Sequence, residues 1–307
     1  MNSSDPMACS QSSSWTTRDL VLTALAVGLL IAVTGALATR DQWTALVGVQ
    51  AAVPVSIAAL TTSDFHSLAF DPRDPDLVYF GHHEGVMKSN DAGRTWRPVL
   101  TQGDAMSLVA LDNSLVMAGH EVFMRSASAG AVWTAIKTNL PDQDIHGFAI
   151  SPSNRQTYYA FVIDYGLWRS DDAGANWVLV SKELPNTVLA LAVVPATPET
   201  LYAGTMDQGL LKSGDGGKTW KPVNTLSMKM AVGLAQDPRD PRIVYAGTEG
   251  GLYRSNPDAT TWTRVGLTGK DIATVAISSS NPARILVVDA QGRVYRSDDG
   301  GNTWGAR

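Results

Sequence analysis

The chain has 307 residues, 44% of them hydrophobic and 17% charged, an ordinary globular composition with enough material for one large core. Its formal net charge of -5 gives no basic surface, which excludes nucleic acid as an expected partner. Cys9 is the single cysteine, so a disulfide framework and a cysteine-based zinc site are also excluded.

The first 40 residues divide into a polar tail and an apolar segment. Residues 1–18 are rich in serine, and we expect this tail to be disordered. Residues 20–38 carry no charged side chain, and a helix of that length spans roughly 28 Å, close to the hydrocarbon thickness of a bilayer. Trp15 and Trp43 bracket the segment, as interfacial aromatic residues do. These features predict a transmembrane helix over residues 19–40.

A cleavable signal peptide is the alternative interpretation of this segment, because Ala36-Leu37-Ala38 has the small-x-small pattern of a cleavage site. The apolar segment is longer than a typical signal-peptide core, and no basic cluster precedes it, so an uncleaved anchor is favoured. Such an anchor makes the chain a single-pass membrane protein. We expect the remainder on the extracytoplasmic side, although the flanking arginines do not decide the orientation.

A unit of about 40 residues repeats from residue 62 onward, and each copy ends in tryptophan. Four copies have the pattern Ser-x-Asp-x-Gly-x-x-Trp, here called the turn motif. Its Asp and Trp positions are Asp91 and Trp96, Asp172 and Trp177, Asp215 and Trp220, and Asp299 and Trp304. Two weaker copies end at Trp133 and Trp262. The Asp can accept backbone hydrogen bonds, the Gly can take a positive φ, and the Trp adds apolar surface to the core. We therefore expect a structural turn in every unit, with all six tryptophans at equivalent buried positions.

Each unit also contains short apolar segments separated by turn residues, such as 189–193, 200–204 and 209–213, with a fourth segment after the tryptophan. This pattern is typical of one blade of a β-propeller. The chain is therefore predicted to be all-β, a six-bladed β-propeller of four-stranded antiparallel blades over residues 62–307. The last unit ends three residues after Trp304 and lacks a fourth strand. We expect residues 41–61 to be a linker and ring-closing strand, in which part of 43–60 pairs with the last blade near residues 294–297.

The turn motif resembles the Asp-boxes, or BNR repeats, of the sialidase and sortilin-like propeller superfamily, and the resemblance covers residues 62–307. Such propellers include sialidases, other glycosidases, sorting receptors and photosystem II assembly factors, so the resemblance implies the fold more specifically than the function. Segments 64–66, 82–85 and 144–146 resemble a bacterial Asp-box group labelled glycosyl hydrolase by similarity. The membrane-tethered outline is similar to the photosystem II stability and assembly factor group.

The sialidase resemblance implies an arginine triad, a Tyr–Glu nucleophile pair and a Phe/Tyr-Arg-Ile-Pro motif before the first Asp-box, and that motif is missing from this sequence. Tyr79, Tyr202 and Tyr245 occupy the same position in successive units, as packing residues do. Two functions stay open. The favoured one is a membrane-anchored extracytoplasmic module that binds a protein or a glycan or assembles a complex. The alternative is an exo-acting glycoside hydrolase of the sialidase-like type.

In a four-stranded blade, the start of the first strand and the loop between the second and third strands lie on one face of the propeller, here called the top face. The turn motifs lie on the opposite, bottom face. All five histidines fall on the top face, in the first three units, among other polar residues that include Asp104. The candidate binding residues are Asp64, His66, His82, His83, Glu84, His120, Asp144 and His146.

Imidazoles and carboxylates together suit a divalent cation such as zinc, copper or nickel better than calcium, which prefers oxygen ligands. The candidate metal ligands are His66, His82 and His146. The alternative interpretation is that these are ordinary polar residues at loop tips, facing solvent. No other cofactor is indicated by the sequence.

Overall fold

The computed structural model describes residues 53–226 and 228–305. The predicted tail, the predicted anchor and linker residues 41–52 lie outside this range. Within the described ranges, all regular structure is β-strand, and no helix is long and apolar enough to cross a membrane.

The 24 strands form six antiparallel sheets of four strands, the blades of a β-propeller. Blade one contains β2 (Ser67–Phe70), β3 (Val78–His82), β4 (Gly85–Ser89) and β5 (Arg97–Leu100). Blade two contains β6 (Ser107–Leu111), β7 (Ser114–Gly119), β8 (Val122–Ser126) and β9 (Thr134–Ala135). Blade three contains β10 (Ile145–Ile150), β11 (Tyr158–Val162), β12 (Gly166–Ser170) and β13 (Trp177–Ser181).

The second half of the ring repeats this order. Blade four contains β14 (Val188–Val194), β15 (Thr200–Thr205), β16 (Leu210–Ser213) and β17 (Lys221–Pro222). Blade five contains β18 (Ala231–Asp237), β19 (Asp240–Thr248), β20 (Gly251–Ser255) and β21 (Trp262–Arg264). Blade six contains β22 (Ile272–Ile277), β23 (Ile285–Asp289), β24 (Arg293–Ser297) and β1 (Ala58–Ala59).

The core lies between the blades. Each of six apolar clusters joins two adjacent blades, and the cluster that contains Phe80 and Leu286 joins blade six to blade one. The first strands line a central channel of about 180 Å³, whose walls include Leu68, Phe148 and Leu191. Because these strands are covered on both faces, they are apolar almost throughout and have no alternating polar face.

Blade six is completed by chain from before the first blade. Ala58 pairs with Val294 and Ala59 with Arg293, in antiparallel register. The flanking amides extend the ladder, since Ile57 N–H donates to the Val294 carbonyl and Leu60 N–H to the Gly292 carbonyl, both at 2.8 Å. This pairing confirms the expectation that a strand from residues 43–60 joins the last blade, and it covers the edge that β24 would otherwise expose.

The turn motif is held together by its own side chains. In the copy at 213–220, Ser213 Oγ donates to Asp215 Oδ1 at 2.7 Å, and Gly217 N–H donates back to Ser213 Oγ at 2.9 Å. The Thr219 amide and hydroxyl donate to the two Asp215 oxygens at 3.0 and 2.6 Å. Gly217 has a φ of 91°, which favours glycine at this position. The bonds from Ser and Gly recur in the other three full copies.

The six tryptophans are not equally buried, so that part of the expectation is wrong. Trp177 and Trp304 are buried, whereas Trp96, Trp133, Trp220 and Trp262 are only partly covered. The reason is their place beside the outermost strand of each blade, where solvent reaches one side. Trp177 is covered further because its ring packs edge-on against Phe123 of the preceding blade, at 6.0 Å between ring centroids.

Candidate functional site

Four imidazoles and three carboxylates form a continuous group across the top face of blades one to three. This group, here called the His–Asp cluster, consists of Asp64, His66, His83, Asp104, His120, Asp144 and His146. Its members lie where first strands begin, before β2, before β6 and at β10, or in the loops β3–β4 and β7–β8. These positions meet because blade topology brings both kinds of segment to one face.

Asp104 is the centre of the cluster, with a side chain only 4% exposed. Its Oδ2 lies 2.9 Å from His83 Nδ1 and 2.6 Å from His120 Nδ1, and its Oδ1 lies 3.3 Å from His66 Nε2. Burial by itself would raise the pKa of Asp104, but the interaction with His66 and the charges of the neighbouring imidazoles outweigh it and hold the pKa below its usual value. Asp104 is therefore a carboxylate at neutral pH.

The contact with Asp104 determines which nitrogen of His120 carries the lone pair. A carboxylate only accepts, so its oxygen at 2.6 Å favours a proton on His120 Nδ1, and in the neutral imidazole the lone pair is then on Nε2. That Nε2 atom lies 2.7 Å from His146 Nε2. Asp144 Oδ1 lies 3.3 Å from the same His120 nitrogen and 3.1 Å from His146 Nε2. Three ligand-type atoms from two blades therefore converge.

At the other end of the cluster, on blade one, the contacts between imidazoles and carboxylate are longer. His66 Nε2 lies 3.4 Å from Asp64 Oδ2, and His83 Nδ1 lies 3.8 Å from the same oxygen. The backbone amide of His83 donates to Asp64 Oδ1 at 2.7 Å, which fixes the carboxylate against the β3–β4 loop.

Several polar atoms of the cluster are buried without a hydrogen-bond partner among the described residues. They are His66 Nε2, Asp104 Oδ1, Asp144 Oδ1 and His146 Nδ1. Two ion-pair contacts nevertheless involve three of them: His66 Nε2 and Asp104 Oδ1 face each other at 3.3 Å, and Asp144 Oδ1 lies 3.1 Å from His146 Nε2. A buried polar atom without a partner costs free energy, and such atoms are uncommon in folded proteins. Their concentration here shows that the hydrogen bonds within the cluster are not fully formed.

Burial also affects the protonation of the imidazoles. Desolvation lowers the pKa of His146 and outweighs the opposite effect of Asp144. His146 is consequently neutral at physiological pH and able to present a lone pair.

His82 and Glu84, both candidates from the sequence, lie apart from the cluster. The ring of His82 is buried and stacks on Phe80 at 5.8 Å between centroids, and its Nδ1 accepts the Glu84 amide N–H at 3.2 Å. The Glu84 side chain is exposed. Strand β3 ends at His82 and residues 83–84 form the turn to β4, so His83 reaches the cluster from the turn, whereas His82 faces a separate groove beside Met87.

The sequence places Asp104 on the top face but does not single it out as a candidate binding residue. A signal for it was present, because Asp64, Asp104 and Asp144 recur at intervals of 40 residues. Each lies just before the first strand of its blade. The residue two positions later is His66 in blade one, Met106 in blade two and His146 in blade three.

Comparison with known proteins places the chain by fold. No family model and no curated protein matches it. It is similar to the GH74 xyloglucanase from Xanthomonas campestris, at TM-score 0.56 and 18% identity, over 82% of this chain and 46% of that one. The GH74 enzyme from Niastella koreensis aligns at TM-score 0.57 and 18% identity, over 83% of this chain and 46% of the enzyme. YCF48 from Cyanidioschyzon merolae aligns at TM-score 0.50 and 19% identity, over 83% of this chain and 88% of YCF48.

The likeness is one of fold. At 18–19% identity it agrees with the propeller fold that the sequence predicts. It does not indicate which substrate or partner this chain has. The chain spans less than half the length of the two GH74 enzymes.

Proposed function

We propose that this chain is a membrane-anchored, extracytoplasmic binding module, whose propeller engages a protein partner or a glycan through the His–Asp cluster. The observation that carries the proposal is the concentration of this cluster on one side of the top face, with part of it open to solvent. The side chain of His83 is 59% exposed, and those of His120 and Asp144 are each 39% exposed. A partner can therefore reach them directly.

The small volume of the channel beneath the cluster favours binding of a partner at the surface over binding of a small molecule inside the channel. Its volume of about 180 Å³ is below the roughly 300–1,000 Å³ of typical small-molecule pockets, and its lining comes mainly from apolar first-strand residues. A sugar ring held for hydrolysis needs a deeper site with paired carboxylates at a defined separation.

The arginines also favour binding over a sialidase-like reaction. A sialidase-like site requires arginines that converge on the substrate carboxylate. Here Arg239 is paired with Asp237 at 2.8 Å, and Arg284 with Asp298 at 2.7 Å, both away from the cluster. These two guanidinium groups form ion pairs that stabilise loops, so they do not point to a substrate carboxylate at the cluster.

The membrane part of the proposal is supported by the sequence of residues 19–40 alone. Its orientation, with the propeller outside the cytoplasm, is the common arrangement for an N-terminal anchor. Protease protection of the full chain in sealed membrane vesicles tests it, and an inaccessible propeller in right-side-out vesicles would contradict it.

Site-directed cross-linking tests the binding surface. A photo-reactive residue replaces Glu84, which is exposed on the top face beside the cluster, or Lys218, which is exposed in a bottom-face turn motif. We expect cross-linked partner in native membranes from position 84 and little from position 218. Equal labelling from both, or cleavage of glycans by the purified full-length chain, would contradict a non-catalytic top-face binder.

A further inference from the structure

We propose that His120, Asp144 and His146 bind a divalent transition-metal ion, with zinc as the expected ion, at the junction of blades two and three. This inference does not rest on the proposed function, since the ion needs only the side chains of the chain itself.

The three ligand atoms already lie near the spacing that zinc requires. Bonds of 2.0–2.1 Å in a tetrahedral site place neighbouring ligand atoms about 3.3–3.4 Å apart. Asp144 Oδ1 lies 3.3 Å from His120 Nε2 and 3.1 Å from His146 Nε2. The two imidazole nitrogens, at 2.7 Å, are at hydrogen-bond distance and need to separate by only about 0.6 Å when an ion replaces the proton between them.

The lone pairs are also directed correctly. Asp104 favours the Nδ1 proton of His120, so that Nε2 is free to ligate, which is the carboxylate–histidine–metal arrangement common in zinc sites. Asp104 is nearly fully buried, and its other oxygen, Oδ1, faces His66 Nε2 at 3.3 Å. It is a positioning residue for His120 and adds negative charge close to the ion.

Asp144 Oδ1 supplies the observation that hydrogen bonding within the cluster does not explain. This oxygen is buried and lies 3.3 Å from His120 Nε2 and 3.1 Å from His146 Nε2, contacts that fall short of full hydrogen-bond geometry among the described residues. A bound cation would satisfy its lone pairs and those of both imidazoles together. Two nitrogens and one oxygen suit zinc better than calcium or magnesium, which prefer oxygen ligands.

Three protein ligands leave a fourth tetrahedral position. Because the side chains of His120 and Asp144 are each 39% exposed, that position is accessible to water or to an external ligand. The site therefore differs in kind from a closed structural zinc site with four protein ligands.

Metal binding to the full-length protein, purified in detergent and stripped with EDTA, tests the assignment. Zinc is titrated by calorimetry, and Co²⁺ serves as a spectroscopic substitute that reports tetrahedral coordination. We expect one ion per chain, and a loss of affinity of at least about 100-fold in His146→Gln and in Asp144→Asn. Asp104→Asn should weaken binding by about 10–100-fold, as loss of a supporting carboxylate does.

The matched controls are His82→Gln and Glu84→Gln, which change the same residue types on the same face outside the cluster. Both should bind zinc like the wild type. Thermal unfolding in EDTA establishes that each variant is folded, and Asp144→Asn preserves side-chain shape if His146→Gln does not fold. Wild-type binding no tighter than that of Asp144→Asn would overturn the assignment, as would a loss seen in His66→Gln but not in His146→Gln.

Discussion

His120 and His146 bring their Nε2 atoms within 2.7 Å of each other, although one lies in a loop of blade two and the other in the first strand of blade three. The contact depends on how two blades pack, since 25 residues separate the two side chains along the chain. It makes the junction of these blades sensitive to changes in the carboxylates that surround it.

Replacing Asp104 should destabilise the fold. In Asp104→Ala the half-buried imidazole of His66 and the ring of His83 lose a carboxylate within 3.3 Å and 2.9 Å. A buried polar group left without its partner costs about 1–3 kcal/mol, so the free energy of unfolding should fall by that amount. Urea denaturation measures it. Glu121→Ala, an exposed change on the same face, should stay within about 0.5 kcal/mol, and an equal effect from both would argue against a central role for Asp104.

The ring-closing strand gives a test by truncation. A chain that begins at residue 53 retains Ala58–Ala59 and the amides that bond to β24, whereas a chain that begins at residue 62 loses them. The shorter chain exposes the edge of β24 and removes the buried Leu60, so it should melt at lower temperature or aggregate. Calorimetry and light scattering compare the two. Identical melting and solubility would show that β1 contributes nothing to closure.

The tryptophans should differ in their contribution to stability. Trp177→Ala removes a buried ring that also donates from Nε1 to the Gly174 carbonyl, and it should cost about 3–5 kcal/mol. Trp262→Ala should cost less, because the ring is partly exposed and its Nε1 has no partner among the described residues. Equilibrium unfolding in guanidinium chloride ranks the two variants. The opposite order would contradict the burial pattern.

The turn motifs should make the propeller sensitive to acid. Hydrogen bonds from the Asn176 side chain, the Asn176 amide and Ser170 lower the pKa of Asp172 from 3.8 to about 2. A carboxyl group with a lowered folded-state pKa stabilises the fold fully above its usual pKa, and this contribution is lost as the pH falls through the folded-state value. The difference in unfolding free energy between wild type and Asp172→Asn should therefore shrink as pH falls from about 4 to about 2. A difference that stays constant over this window would contradict the assignment.

Much of the fold follows from short-range sequence patterns. The turn motif joins residues no more than four positions apart, such as Ser213 with Gly217 and Asp215 with Thr219, so local chemistry forms it in each unit. Recurrence of this turn with four apolar segments per unit then predicts six blades. The closing strand was also predictable, because residues 43–60 are apolar, lie next to the first blade in the sequence and can cover an otherwise unpaired strand edge.

The functional site required the tertiary structure. The sequence assigned the histidines to one face, but which of them meet depends on side-chain direction and on packing between blades. Asp104 became central because it lies where blades one and two meet and contacts His83 and His120, and His82 was separated from the cluster because its ring packs on Phe80. Burial of the tryptophans also depended on neighbouring blades, as for Trp177 against Phe123. Short-range hydrogen bonding and periodicity can be read from the sequence because they involve residues close together in the chain. Contacts between distant units cannot, because they depend on how the blades pack when the ring closes.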